Sequence, residues 1–482
     1  MEILTDKTCQ FKNDNGELVC SREIYQDEDK CIFHSQIENK DVIQFQMDLK
    51  SSYEKSGDVW DLSDVIFPKD FEFKDYVIDK KVYFKDSIFL GTTTFQNIIF
   101  RDFVSFANSL FKGTTYFRDI SFKGIDFDQE SNDKGFREGI HFDNVIFEEH
   151  VNFRNTYFRK VADFFETEFL SSANFYKTNF DCLTRFIRAT FDGNIFFRST
   201  IFKDVIFSTS KVTNKSSIIF DGENEYGRNM FVDKADFSNV VLDNPKRLTF
   251  RKVSLEKCLF LETDVSLIKF HDVTWPEKRI TKRKYVYDEI SPDERWLNRE
   301  NSPQKSNLRK RPRYDYNLIA HLYRRLQANY DFNYQYPEAG DFYFGEQEMI
   351  RRAKKRPWRY ISPNYIYLIC SRYGQSWIIP LIWILLILIL SSFVLLLTGV
   401  NLNNMIINQD LNSSGELFLF QTIYWSIFSE NLRFVIFDFT KFDTILQDPF
   451  QRIYVVGELF VVIGLFTLFL LALRRKFKRK SY

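Results

Sequence analysis

Phenylalanine recurs along this chain at alternating steps of five and six residues. It falls at 84, 89, 95, 100, 106, 111, 117, 122 and 127, and again at 142, 147, 153, 158, 164, 169, 175, 180, 186, 191, 197, 202 and 207. The resulting eleven-residue unit fits neither a helical period nor the alternation of one long strand. Self-similarity at a fixed short period is the mark of a solenoid. The position two before many of these rings is small or β-branched, as at Val82, Ser87, Thr93, Thr115, Val151, Thr156, Ala162, Ala173, Thr178 and Ala189. Residues i and i−2 of an extended chain share a side, so both point inward and stack. Most of the 54 Phe lie between Phe71 and Phe270. Each buried ring is worth about 1.5–3 kcal/mol, enough for the stack to hold itself.

Segments such as Ala173-Asn174-Phe175-Tyr176-Lys177 and Ala189-Thr190-Phe191-Asp192-Gly193 resemble pentapeptide repeats. The resemblance covers residues 82–275 and implies a right-handed quadrilateral β-helix with the central Phe inside. At about 20 to 22 residues per coil this gives about nine coils and a rod about 40 Å long. A polar interruption at Gln129 to Gly139 reads as a loop ejected from a corner, and the spacing loosens after Phe207 around an insertion at Asp221 to Asn229. His141, His150 and His271 stand alone at outward positions.

The chain is multidomain, since 482 residues exceed one compact unit. Residues 1–45 hold Cys9, Cys20, Cys31 and His34, a complete Cys3His shell for a structural Zn2+ ion. The other reading is three half-buried thiols beside a surface histidine. A segment this short needs such a staple to fold. Cys182, Cys258 and Cys370 read as small hydrophobes. Residues 46–81 connect or cap. Residues 276–313, rich in Lys, Arg, Pro and Ser, read as a basic linker, either solvated or lying near anionic headgroups.

Residues 314–356 read as a helical hairpin, with Asp315 capping the first helix and Pro337 starting the second. The strings Leu322-Tyr323-Arg324-Arg325-Leu326 and Glu338-Ala339-Gly340-Asp341-Phe342-Tyr343-Phe344 are similar to a hairpin of pentapeptide-repeat proteins with a channel-like C-terminus. Residues 361–374 form an amphipathic interfacial helix, a transmitter of gating strain or a plain anchor.

Two charge-free apolar runs, 377–400 and 453–473, are each long enough to cross a bilayer as helices. Basic residues flank both outer ends: Arg351, Arg352, Lys354, Lys355, Arg356 and Arg359 before, and Arg474, Arg475, Lys476, Lys478, Arg479 and Lys480 in the tail 474–482. With no apolar leader at Met1 to Lys12, this bias predicts a multi-pass plasma or inner membrane protein with both termini cytoplasmic.

The outer loop, 401–452, carries a re-entrant pore helix at about 416–429. Tyr424-Trp425-Ser426 resembles the pore-helix entry of two-span potassium-channel-like proteins, which implies an oligomer, a tetramer in that family. The glycines of a potassium filter are missing. The filter region instead holds Ser429, Glu430, Asn431, Arg433 and Asp438, so the permeant ion is unknown. Glu458 in the second run is either a ring of carboxylates at the pore mouth or the partner of Arg452 or Arg433.

Acidic and basic residues nearly balance over 61–270, about 32 against 29, which argues against a DNA mimic and against nucleic acid as a partner. No nucleophile, base and stabiliser fall together, so an enzyme is the least expected class. The expectation is a channel-like membrane protein with a cytoplasmic solenoid that senses or docks a protein partner. The rival is a membrane-tethered interaction scaffold without conductance. A membrane-damaging effector shares the pore design.

Overall fold

A computed structural model describes residues 8–12, 16–18, 20–26, 28–123, 139–223, 229–290, 315–398, 424–429, 431–433 and 449–478. It divides into two units, Met1–Asn329 and Tyr330–Tyr482. The first is a pentapeptide-repeat-like β-solenoid with caps. The second carries helices, two of which are long and apolar enough to cross a membrane.

Short parallel strands build four faces, and a regular coil takes 22 residues, so that Val59 pairs Lys81 and Val82 pairs Val104. The stack begins at Val59–Asp61, one turn before the expected start at residue 82. Trp60, Phe67, Phe73 and Ile78 fill the inward positions of that turn, so only part of it shows the Phe spacing. Phe127 and most of the expected corner loop lie outside the described residues.

The rings stack along four columns. Phe89 lies on Phe111 at 4.2 Å and 3°, Phe84 on Phe106 at 4.7 Å, Phe95 on Phe117 at 5.0 Å, and Phe100 on Phe122 at 5.2 Å. Between columns the rings meet edge to face, as Phe95 does with Phe106 at 82°. Both geometries suit the aromatic quadrupole, with positive edges against negative faces. The small residues two before the rings are buried with them, and their hydroxyls close the corners. Thr156, Thr178 and Thr200 donate to the carbonyls of Phe117, Phe153 and Phe175 at 2.9, 2.7 and 2.7 Å. A buried carbonyl without such a donor would be costly.

Two corners use left-handed backbone. One column is Asp64, Asp86, Asn108, Asn144, Glu166, Arg188, Thr209, Asn239 and Glu262; the other is Asp75, Asn97, Asp119, Asn155, Lys177, Ser199, Lys252 and Asp272. Asn and Asp tolerate positive φ better than other side chains, which explains their recurrence here. They also bond along the column: Asn97 to Asp75 and Asn108 to Asp86 at 3.0 Å, and Asn155 to Asp119 at 3.1 Å.

Both ends are covered. Helix α1 (Val42–Lys55) is capped by Asp41, whose carboxylate accepts from the amides of Ile43 and Gln44. Its Phe45 packs on Phe67 and Phe71. Lys80 ties the helix end down by donating to the Tyr53 and Ser56 carbonyls.

At the far end the expected linker starts as structure: a bridge joins Glu277 and Lys284, and Asp288 accepts from the amides of Phe260 and Leu261 at 3.0 and 3.1 Å. Buried Glu289 bonds Arg283 at 2.8 Å and the Tyr323 hydroxyl at 2.6 Å. Burial pushes the Glu289 carboxyl up, but Arg283 and Tyr323 together hold it below the usual range. A basic composition reads as linker until those charges acquire buried partners. Residues 291–314 lie outside the description.

Helix α2 (Tyr316–Phe332) starts where Asp315 accepts from the Asn317 amide, and its Asn329 donates to the carbonyls of Val265 and Ile268 at 2.7 and 2.8 Å. Helix α3 (Tyr336–Ala353) follows a short turn and has Pro337 in its first turn. Tyr330 meets its Phe342 edge-on at 5.1 Å, as an α-helical hairpin requires.

Helix α4 (Pro363–Ser371) ends in left-handed Arg372 and Tyr373. Exposed Ile366 and Ile369 give it an apolar face. Helices α5 (Ile378–Thr398) and α6 (Pro449–Lys478) are the candidate spans. They pack through Leu388 and Val462, with Ile384, Ile387, Phe428 and Leu432 alongside.

Candidate functional site

The N-terminal cysteines converge because short antiparallel bridges, Thr8 with Glu23 and Lys12 with Leu18, bring Cys9 and Cys20 back towards each other. A tight turn at Cys31, whose carbonyl accepts from the amides of His34 and Ser35, presents Cys31 and His34 on one side. Cys9 and Cys31 Sγ each lie 3.4 Å from His34 Nδ1, and Cys20 Sγ lies 3.7 Å from Cys31 Sγ. All four ligand atoms lie within 4.8 Å of one another.

A tetrahedral ion with metal–sulfur bonds of about 2.3 Å and metal–nitrogen bonds of about 2.05 Å imposes sulfur–sulfur edges of about 3.8 Å and sulfur–nitrogen edges of about 3.6 Å. The donor set therefore fits a metal. A disulfide would need about 2.05 Å between sulfurs, and all these cysteines are free. The hydrogen bond from Cys31 holds the Cys20 thiol down to about 7. Phe11 stacks on His34 at 4.0 Å and fixes the ring. The Phe33 carbonyl accepts from the Ile66 amide, joining the cluster to the first coil.

On the third face, outward side chains form a column that the sequence reading missed. Its rungs are Lys74, Gln96, Arg118, Arg154, Tyr176, Arg198, Asp221, Arg251 and His271, in register from coil to coil. The signal was available as a basic residue just before the left-handed corner. Arg118 lies 4.0 Å over the Tyr116 ring and Arg154 lies 5.5 Å over Tyr176. Asp221, the one acid in the column, is buried and paired with Arg251 and, at 3.5 Å, Arg198. Burial pushes its carboxyl up, but the Arg251 hydrogen bond leads in holding it below the usual range. Tyr176, Phe196, Arg198, Ile219, Asp221 and Arg251 line an open groove of about 470 Å³.

No family model matches this chain, and no curated protein matches it. Among solved structures, QnrB1 (full length), a plasmid-mediated fluoroquinolone resistance protein, is similar at 11% identity over 43% of this chain and 92% of that chain, with a TM-score of 0.15. The strand ladder itself defines the fold.

Two of the three histidines expected to stand alone have partners. His141 Nδ1 lies 2.7 Å from Asp143, and with Asp163 these form a second group at metal-holding distances, although Asp163 is already paired with Arg185. His150 bonds Ser172 at 2.7 Å, and burial pushes its ring below the usual value.

In the second unit, residues 424–429 and 431–433 are helical, and the rest of the expected pore helix lies outside the described residues, as do Glu430 and Asp438. Ser429 and Arg433 are exposed. Asn431 is buried and donates to Ser391 Oγ at 2.6 Å and Ser392 Oγ at 3.4 Å. Glu458 is buried in the same place, 2.6 Å from Ser391 Oγ.

Proposed function

We propose that the chain is a membrane-tethered protein-interaction scaffold. Helices α5 and α6 anchor it in the bilayer, and basic flanks put both termini in the cytoplasm. A structural Zn2+ ion held by Cys9, Cys20, Cys31 and His34 staples the start of the solenoid. The cationic column of the third face docks an acidic segment of a protein partner. That column is the observation that carries the reading, because the half-buried guanidinium of Arg118 and the exposed ones of Arg154 and Arg198 share it with a single acid among the described residues, Asp221. Guanidiniums on a rigid sheet pair carboxylates in fixed geometry. The corner beside it carries Asp75, Asp119 and Asp272, which disfavours a broad polyanion such as duplex nucleic acid.

A labelled oligoglutamate peptide titrated against the purified chain tests this. Binding should weaken with salt, and the triple change Arg118→Ala, Arg154→Ala and Arg198→Ala should weaken it about tenfold or more, at about 1 kcal/mol per contact. Tighter binding of a DNA duplex than of the peptide would sink the reading.

An oligomeric two-span pore is the second reading, favoured by the polar network of Ser391, Asn431 and Glu458 inside the candidate spans. Ion flux through planar bilayers decides between them. A scaffold conducts nothing, whereas a pore conducts and changes its selectivity on Glu458→Ala or Arg433→Ala.

A further inference from the structure

Glu458 sits in α6 among Val455 and Val462, and it is only 7% exposed. Ser391 and Ser392, from α5, are 1% and 0% exposed, and Asn431 is 5% exposed. Glu458 Oε1 accepts from Ser391 Oγ at 2.6 Å and from Asn431 Nδ2 at 3.3 Å. Ser392 spends its hydroxyl on the Leu388 carbonyl at 2.7 Å. Oε2 is buried and has no hydrogen-bond partner.

Among the described residues, what faces the carboxyl is neutral. From α5 come the two serines, from the loop helix comes Asn431, and on α6 itself the titratable neighbour is the Tyr454 phenol, one turn away. Arg433 is exposed, and among the described residues no lysine or arginine pairs with Glu458. The surrounding packing is Leu388, Val462, Ile384, Ile387, Phe428 and Leu432.

An ionised carboxylate in hydrocarbon needs a counter-charge or a full set of donors, and this one has donors on one oxygen only. We propose that Glu458, with Ser391 and Asn431, is an intramembrane proton-binding site, in which Oε2 carries the proton and Oε1 is held by the serine and the amide. This rests on the membrane embedding of α5 and α6. Adjacent serines inside a charge-free run were the sequence sign of it.

A lipophilic carbodiimide reads the site directly, because it reacts with a protonated carboxyl in an apolar setting. The acid adds across one C=N bond: its proton goes to nitrogen and its oxygen bonds the central carbon. The acyl group then shifts to nitrogen as an N-acylurea that retains the whole reagent, and no group leaves. The full chain in lipid vesicles is first washed in alkaline carbonate and then treated with dicyclohexylcarbodiimide across a pH series.

The expected result is an adduct of the intact reagent's mass on Glu458, at least tenfold less abundant at the alkaline end. It should be lost in Glu458→Gln and retained in Thr467→Ala, a change at an exposed position of the same helix outside the site. A water-soluble carbodiimide should label it at least tenfold less. Inserted protein that stays unlabelled at every pH, or that labels equally with the soluble reagent, overturns the site while leaving the membrane anchor standing. Protein stripped from the vesicles by carbonate overturns both.

Discussion

Replacing Phe153 with alanine is expected to cost the solenoid about 3–5 kcal/mol, the range for removing a large buried aromatic. Phe153 is fully buried, stacked between Phe117 at 4.8 Å and Phe175 at 4.9 Å, and met edge-on by Phe142, Phe147 and Phe164. The cavity cannot collapse, because each neighbour is pinned by its own column. Denaturant unfolding of the purified chain measures the loss. Tyr157→Ala, at a ring 46% exposed in the next strand, is the control and should change stability by less than about 1 kcal/mol. Equal effects at the two sites would mean that the stacked columns do not carry the fold.

The second large effect concerns the Cys3His cluster. The purified chain should hold one zinc ion, and Cys31→Ser should lose it. Structural zinc contributes about 10–16 kcal/mol of apparent binding free energy to small sites near neutral pH, more than any side-chain contact in the segment. Chelation should therefore release residues 8–35 to rapid hydrogen exchange while the coils from Val59 onward keep their protection. The Phe33 carbonyl accepts from the Ile66 amide at 2.8 Å, and Lys40, just after the segment, donates to the Ile66 carbonyl at 2.6 Å. Protein that binds no zinc, or whose exchange is untouched by chelation, would refute the metal.

The ring spacing made the solenoid legible, because one residue type fills the inward position of every face. The first coil was hidden where Trp60 and Ile78 substitute for phenylalanine, although a pairing ladder accepts any apolar side chain of suitable size. The far cap was hidden because Arg283, Glu289 and Tyr323 look solvent-seeking until they meet one another. The Cys3His donor set was legible, but the bridges at Thr8 and Lys12 that gather it were not. The cationic column was missed for a plainer reason. Its members lie a whole coil apart, and net charge averages them against the acids of neighbouring corners.

The covered ends have a consequence for how copies meet. The last coil would offer a template for another chain's strand. Asp288 takes the amides of Phe260 and Leu261, Asn329 takes the carbonyls of Val265 and Ile268, and α1 lies over Phe67 and Phe71 at the other end. A repeat that could in principle extend without limit is thereby finite. End-to-end growth of copies along the coil axis would first have to displace both of these covers.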